Sequence, residues 1–304
     1  VAIFTSIIQI LNTLSNIFLN MGITYYHERA SFVNLRSMMA SSGANFWGLD
    51  FDEDGLQIDK LLKRTRAPKN AFLHLHSSNQ NPTGITTTAA RRKEIYEICS
   101  KWNIPIIEMD PMRGMHHMGE DPAPIKAMDT HGLVVYIGSF LRPTSEVLGL
   151  AWIVADEYLI NTITRLKQSS DIHPNLFGQC IADSCLSNGL CTKDQEYLTI
   201  LLGAQIKANN EVMEHYIGDI ATWNREQSAY YLWPEFESSI NTKTLYKNRS
   251  EIDFNPGFFY DPKDISHMSI TTLCMEADKF DRAFQLLRNL INKHSVKQNK
   301  PKNI

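Results

Sequence analysis

The sequence lacks any hydrophobic run that approaches the ~18 consecutive apolar residues of a membrane helix. Its first residues carry neither a basic leader nor a small-residue cleavage site, so no secretory signal is visible. These absences predict a cytoplasmic protein without membrane contact. The chain begins at Val1, inside a predicted strand and without an initiator methionine. We therefore expect a fragment whose natural N-terminus has been removed.

Neither sign of charge is in excess. The 304 residues include 30 Lys and Arg against 33 Asp and Glu, which gives a net charge of −3. Nucleic-acid-binding domains normally carry a clear basic excess, so this chain alone is a poor candidate for DNA binding. The short basic cluster Arg91, Arg92 and Lys93 lies on a predicted helix with an apolar opposite face. We expect it to be a solvated helix face.

Cysteine is scarce, and the five cysteines form no CxxC pair. The odd number and the spacing predict reduced, mostly buried thiols rather than a disulfide framework. His116 and His117 are adjacent but have no third ligand at a fitting spacing. We predict solvated loop residues there and no metal site.

The first two-thirds of the chain alternates short apolar runs with amphipathic stretches. Such alternation predicts a mostly parallel sheet covered by helices on both faces. The predicted strands are residues 1–5, 23–27, 45–49, 71–76, 104–109, 133–137 and 151–155, and the predicted helices are 8–19, 35–42, 56–62 and 89–102.

The alternation of predicted strands and helices ends near Asp194. A long helix is predicted over 195–215, followed by aromatic strands in "SAYYLWPEF" and a turn in "NPGFFYDP". A strand at 268–273 and an amphipathic last helix complete the pattern. This part is predicted to be a second, smaller α+β domain.

Several strings carry a family likeness. Residues 74–111, "HLHSSNQNPTGITTTAARRKEIYEICSKWNIPIIEMDP", resemble the middle of fold-type I, pyridoxal-phosphate-dependent aminotransferases. They are most similar to the aminotransferase-like half of MocR-type regulators in the GntR superfamily. The strings "VVYIGSF", "LGLAWIVADEYLI", "FDEDGLQIDKL" and "NPGFFY" also resemble that family, in the same order and at fitting separations. The likeness covers nearly the whole chain.

The resemblance implies an α/β fold with a fold-type I aminotransferase-like large domain and a smaller C-terminal α+β domain. We expect the large domain over 1–205, with its N-terminal part missing, and the small domain over 206–304. It also implies a homodimer and a winged-helix DNA-binding domain upstream, absent from this chain, through which alone the gene product would bind DNA.

Pyridoxal phosphate needs a lysine for the Schiff base, a carboxylate at its ring nitrogen and donors for its phosphate. In the resemblance the lysine falls at Arg142, whose guanidinium cannot form the aldimine. No lysine lies between Gly138 and Trp152 to replace it. The cofactor site is therefore expected to be degenerate.

The other cofactor-binding positions also differ from the family pattern. The ring-nitrogen carboxylate falls at Met109, and the neighbouring Asp110 is expected to face the other side of the strand. The tyrosine near the cofactor hydroxyl falls at Met112. The small residues of the phosphate cradle fall at Ile7 and Ile8, whose bulky side chains would obstruct an anion.

Some cradle residues remain, namely Thr5, Ser6, Gln9 and Ser139, while the phosphate-binding arginine falls at Gly149. The arginine that grips a substrate carboxylate falls near His267, which cannot make a bidentate clamp. The scaffold also remains. Asn81 stands where the family's asparagine meets the cofactor, and Phe32 stands where an aromatic side chain stacks on the ring.

We therefore predict no catalytic residue, no bound cofactor and no metal ligand. The candidate ligand-pocket residues are Gln9, Phe32, Asn81, Met109, Asp110, Ser139, Arg142 and His267. Two of them have a second interpretation. Asn81 could serve only the shape of its turn, and Arg142 could be ion-paired rather than bind an anionic effector.

Three hypotheses for function remain open. The first is an effector-sensing and dimerisation domain of a transcriptional regulator, with a small anionic or amino-acid-like effector held without a covalent bond. The second is a pyridoxal-phosphate-dependent aminotransferase with unusual active-site residues. The third is a structural dimerisation module that binds nothing.

Overall fold

The structure is a computed structural model, and it describes residues 1–18, 23–32, 35, 44–62, 70–117, 119, 121–140, 148–169, 171, 173–225, 230–271 and 275–295. In chain order the strands are β1 (Ala2–Phe4), β2 (Thr24–Glu28), β3 (Asn45–Leu49), β4 (Phe51–Asp52), β5 (Gly55–Leu56), β6 (Ala71–His76), β7 (Ile106–Met109), β8 (Val134–Ser139), β9 (Ala151–Val154), β10 (Ala221–Thr222), β11 (Tyr231–Leu232), β12 (Glu235–Phe236), β13 (Asn255–Pro256) and β14 (Met268–Thr271). The α-helices are α1 (Ile7–Phe18), α2 (Asp59–Leu62), α3 (Ala89–Trp102), α4 (Glu157–Gln168), α5 (Leu176–Ser187), α6 (Leu190–Ile217), α7 (Thr242–Lys247) and α8 (Ala277–Ser295).

Seven strands form the main sheet, in the order β1-β9-β8-β7-β6-β2-β3. The neighbours from β8 to β3 pair in parallel, whereas β9 is antiparallel to both β8 and β1. The predicted mostly parallel sheet is therefore confirmed. Parallel strands need crossover connections, and the sequence supplies them as the amphipathic stretches between the strands.

Each face of the sheet has its own core. Leu73, Ile106 and Val134 pack with α3 on one face, while Ile107, Val135 and α1 belong to the cluster on the other face. Adjacent residues of one strand point to opposite faces, so Ile106 and Ile107 enter different cores. This parity decides which side chains of β7 can reach a given cavity.

The best-specified helix is α3. Its N-cap is Thr88, whose side chain accepts a hydrogen bond from the backbone N–H of Arg91, and its C-cap Asn103 is left-handed at φ 51°. Both ends thus carry the residue types that stop a helix. The predicted bounds, 89–102, coincide with the observed ones.

The predicted helix over 56–62 is wrong in its first half. Phe51–Asp52 and Gly55–Leu56 form a short antiparallel hairpin, and the helix starts only at Asp59. Gly55 has φ 113°, and a Cβ there would lie 2.6 Å from Thr87 Oγ1, so the turn needs glycine. Most of the predicted helix over 35–42 lies outside the described residues.

The long C-terminal helix is longer than predicted, because α6 covers Leu190–Ile217 rather than 195–215. It therefore crosses the expected domain boundary at residue 206, which stays a prediction. A separate apolar cluster surrounds Met213, Phe236 and Phe284, in the part of the chain predicted to be the small domain.

The prediction that most cysteines are buried is wrong. Only Cys99 of the four described cysteines is buried, because Cys180, Cys185 and Cys191 lie on the partly exposed helices α5 and α6. The fifth cysteine, Cys274, lies outside the described residues.

A membrane span would need a long, apolar helix, and the part of the chain that the structure describes contains none.

Arg92 does not belong to a solvated face. Its side chain is 0% exposed, while Lys93 beside it is 72% exposed. The guanidinium donates to the backbone oxygens of Thr87, Ser77, Pro122 and Ala123 and to Ser78 Oγ. Arg92 therefore ties the start of α3 to the loops that follow β6 and β7.

We expect Arg92→Met to destabilise the chain by about 3–5 kcal/mol, because it leaves several buried backbone oxygens without their donor and removes the cation 3.8 Å from the buried Glu108 carboxylate. The matched control is Lys93→Met, which should change the free energy of unfolding by less than ~0.5 kcal/mol. Urea unfolding monitored by circular dichroism measures both. Equal stabilities of the two variants would contradict the role given to Arg92.

Candidate functional site

A cavity of about 330 Å³ opens at the carboxyl ends of the central strands. In open α/β sheets this is the edge where ligands bind. The start of α1, the strand ends and the loop after β6 enclose it, and Tyr231 reaches it from the C-terminal part of the chain. The lining residues are Thr5, Ser6, Ile7, Ile8, Phe32, His76, Asn81, Met109, Pro111, Met112, Ser139, Phe140, Gly149, Leu150 and Tyr231. We call it the strand-end cavity.

The loop after β6 is held by the side chains that precede Asn81. Gln80 donates to Glu28 Oε2 at 3.2 Å and to the Ala30 oxygen at 2.8 Å, and it accepts from the Thr83 hydroxyl at 2.6 Å. Asn79 donates to the Met115 oxygen at 2.7 Å. The shape of this turn is therefore fixed by buried amides.

Asn81 links the loop to two other parts of the site. Its backbone N–H donates to His76 Nδ1 at 3.2 Å, and its side-chain Nδ2 donates to the Tyr231 hydroxyl at 3.1 Å. Its Oδ1 atom is buried, and among the described residues it has no hydrogen-bond partner. Asn81 thus links the turn to Tyr231, and it lines the cavity while its Oδ1 atom stays buried.

His76 has a defined tautomer in this arrangement. Because Nδ1 accepts the Asn81 N–H, the proton of the neutral ring must sit on Nε2. That nitrogen is buried, and no described group accepts from it. Burial also lowers the pKa of His76 to about 4, so the ring is uncharged near neutral pH.

Behind the cavity lies a further buried carboxyl group. Glu28 is 4% exposed and accepts the backbone N–H of His76. Burial raises the pKa of Glu28 to about 8. His74, also buried, contacts Met109 Sδ through Nε2 at 3.0 Å, and burial lowers its pKa to about 3. The polar groups under the site are therefore held mostly in their neutral forms.

The start of α1 is closed by its own side chains. Ser6 Oγ accepts the N–H of Gln9 at 3.2 Å, and Gln9 Oε1 accepts the N–H of Thr5 at 3.1 Å. Gln9 Nε2 in turn donates to Asp171 at 3.3 Å. Two backbone donors that an anion could use at a helix start are thus already satisfied, and a carboxylate lies close by.

The last residue of β7, Met109, and the residue after it, Asp110, line different cavities. Met109 lines the strand-end cavity, whereas Asp110 lines a different, larger cavity of about 960 Å³ beside α5 and α6. The Asp110 carboxylate accepts from Arg113 at 3.2 Å and from the Tyr136 hydroxyl at 3.4 Å. Strand parity is the physical reason why it does not face the strand-end cavity.

His267 lies away from both cavities. Its ring stacks on Trp233, with 5.1 Å between the centroids, and Nδ1 lies 2.9 Å from the Asp264 carboxylate. The side chain is therefore engaged by its own loop and neighbouring strand, and it does not line the strand-end cavity.

Of the eight candidate residues, four line the strand-end cavity: Phe32, Asn81, Met109 and Ser139. Gln9 lies behind it as part of the helix cap, while Asp110 and His267 do not line it. Arg142 lies outside the described residues. Sequence reasoning missed His76, Gln80 and Glu28. Their signal was present, since polar side chains within or next to a buried strand need a reason to be there.

Among the described residues, no group of three or more His, Cys, Asp or Glu side chains could hold a metal ion. His116 and His117 are half-buried rather than fully solvated. His116 Nδ1 lies 3.4 Å from the Asp121 carboxylate.

The sheet order, its single internal antiparallel strand and the strand-end cavity define an aminotransferase fold. The structure is similar to that of the multiple substrate aminotransferase from Thermococcus profundus, with a TM-score of 0.89 at 22% sequence identity. The match covers 97% of this chain and 75% of that chain. At this identity the likeness shows the fold alone.

Sequence comparison finds both regulators and enzymes. The chain is 28% identical to YisV, an uncharacterized HTH-type transcriptional regulator of Bacillus subtilis (strain 168), over 239 residues, which are 78% of this chain and 49% of that protein. It is 25% identical over 242 residues to aromatic-amino-acid aminotransferase 1 of Thermococcus litoralis, which covers 78% of this chain and 58% of that protein. No protein-family model matches the chain. From the coverages of these relatives, the chain spans about half the length of the curated proteins it matches.

The lowered pKa of His76 makes stability depend on pH. Its pKa falls from 6.5 in the unfolded chain to about 4 in the folded chain, so between these values the unfolded state binds the additional proton. Stability from this group is complete above pH 6.5 and is lost as the pH falls towards 4. Phenylalanine does not titrate. The free energy of unfolding of His76→Phe, relative to that of the parent chain, should therefore rise by about 1.4 kcal/mol for each unit by which the pH falls between about pH 6 and about pH 4.5.

Urea unfolding across that pH window measures the difference between the two proteins. Glu28 and His74 are present in both, so their own titration largely cancels in the comparison. Parallel stability curves for the parent chain and His76→Phe would show that His76 is not buried as a neutral ring.

Proposed function

We propose that this chain is the effector-sensing and dimerisation domain of a transcriptional regulator, and that it does not transaminate. The observation that carries this proposal is the lining of the strand-end cavity. Its described residues include no lysine, arginine or carboxylate, although the cavity occupies the ligand-binding edge of an aminotransferase fold.

The fold implies pyridoxal phosphate, and the residues present do not suit it. The aldimine requires a primary amine, whereas the aligned residue is Arg142 and residues 138–152 contain no lysine. Met109, a thioether, stands where a carboxylate would keep the ring nitrogen protonated.

The phosphate would also lack its site. Ile7 and Ile8 fill the start of α1, and Ser6 and Gln9 already accept two backbone N–H groups there. We therefore derive no step that passes through this cofactor.

The regulatory part of the proposal is supported by the similarity to YisV, an uncharacterized HTH-type transcriptional regulator. Under this proposal the gene product binds DNA through a winged-helix domain upstream of this chain, works in the cytoplasm and forms a homodimer. The dimer has physical support in six large apolar side chains that are 48–75% exposed on two consecutive helices, α5 and α6. They are Leu176, Phe177, Leu186, Leu190, Tyr197 and Ile200.

A second candidate function is a pyridoxal-phosphate-dependent aminotransferase with unusual residues. The similarity to aromatic-amino-acid aminotransferase 1 of Thermococcus litoralis favours it. It requires a lysine from another part of the chain to reach the cavity, and the two candidates therefore differ in whether a covalent adduct forms.

The purified chain, incubated with excess pyridoxal phosphate and reduced with borohydride, should carry no pyridoxyl group on a cavity lysine, because residues 138–152 supply no amine. Peptide mass spectrometry measures this, and a lysine-containing aminotransferase serves as the positive control. A stoichiometric adduct, with an aldimine absorption band before reduction, would support the enzyme instead.

The longer gene product should contain a winged-helix domain upstream of Val1, and it should bind DNA while the 304-residue chain alone does not. Sequencing upstream of the segment and an electrophoretic mobility shift assay on its own promoter region test this. An open reading frame that starts close to Val1 without such a domain would contradict the regulatory function.

A further inference from the structure

The strand-end cavity is apolar over most of its surface. Aliphatic, thioether and aromatic side chains form its walls, among them Ile8, Met109 and Phe140. The lining that the structure describes carries no formal charge, since His76 is neutral and the other lining side chains do not ionise near pH 7. Among these described lining residues a carboxylate or phosphate finds no counter-charge, and burying it against them would cost several kcal/mol.

Among the polar groups of the lining residues, two buried atoms are complementary. Within the part of the chain that the structure describes, His76 Nε2–H is a buried donor without an acceptor, and Asn81 Oδ1 is a buried acceptor without a donor. Their residues are joined by the hydrogen bond from the Asn81 N–H to His76 Nδ1, so both belong to one short segment of wall. His76 is only 5% exposed.

Such an arrangement does not by itself stabilise the fold. A buried donor or acceptor left without a partner costs about 1–3 kcal/mol, and folded proteins leave few of them. The two atoms do not hydrogen-bond to each other. A cavity of about 330 Å³ is at the small end of those that hold small molecules.

We propose that the strand-end cavity binds an uncharged, flat, mainly apolar molecule that carries a hydrogen-bond acceptor and a donor side by side, as a carboxamide or a lactam does. The acceptor of the ligand meets His76 Nε2–H, its donor meets Asn81 Oδ1, and its apolar body lies between Phe32 and Met109. This inference rests on the proposed sensing function and names its ligand class. It replaces the small anion expected from the sequence with a neutral amide.

Three probes of nearly the same shape test the ligand class on the 304-residue chain: 2-naphthamide, 2-naphthoate and 2-acetonaphthone. The amide offers both an acceptor and a donor, the ketone only an acceptor, and the carboxylate a charge. Isothermal titration calorimetry at neutral pH should give the tightest binding for the amide. The ketone should bind about fivefold more weakly, and the carboxylate at least about tenfold more weakly.

Two variants locate the contacts. Asn81→Ala should weaken the amide to about the affinity of the ketone and leave the ketone unchanged, because the ketone has no donor for Oδ1. His76→Phe should weaken both, since both use the donor on Nε2. Asn248→Ala, an exposed asparagine outside the cavity, is the matched control and should change neither affinity.

The order of the three probes on the parent chain decides the proposal even if a variant does not fold. Binding of 2-naphthoate as tight as that of 2-naphthamide, or no binding of any probe, would overturn it. Failure of the proposed function has a different signature, namely a pyridoxyl adduct formed in the absence of all three probes.

Discussion

The geometry of the site depends on one buried cation. The Arg92 guanidinium, with no exposed surface, donates to backbone oxygens in the loops that follow β6 and β7. Ser77 stands at the start of the loop that carries Asn81, and Ala123 belongs to the segment that follows β7. A planar group with five donors can hold several loops at fixed angles, which a lysine could not do. The cost of burying it is met by its acceptors and by Glu108, 3.8 Å away.

The residues that fix the loops therefore differ from the residues that line the cavity. Arg92, Gln80 and Asn79 fix the loops through buried hydrogen bonds, and none of them needs to touch a ligand. Met109 and Ile8, by contrast, line the cavity. Under the proposed function, the cavity keeps the shape of an aminotransferase site while most of its described lining is apolar. Fold and reaction would then be separable, because different side chains determine each.

The sequence predicted the elements whose signals were local. The bounds of Asn45–Leu49, Ala71–His76 and Ala89–Trp102 were found because turn or cap residues flank a clear periodic run. The mostly parallel order followed from their alternation. The sequence could not reveal that Arg92 is buried, since a helix face becomes interior only when β6, β7 and their loops close over it. The role of His76 was missed for the same reason, because its tautomer is set by a backbone N–H that the folded turn places against it.

Asn81 is also the point where the cavity could communicate with the rest of the chain. Its Nδ2 group donates to the Tyr231 hydroxyl on β11, while the buried Oδ1 of the same amide accepts from none of the residues that the structure describes. The two ends of one planar amide cannot be moved independently, so a ligand that binds Oδ1 fixes the orientation of Nδ2. In the proposed sensor this would tie the occupancy of the cavity to the contact between the sheet edge and the C-terminal strands. A sensing domain requires such a coupling between two sites, and here it needs only one side chain that belongs to both.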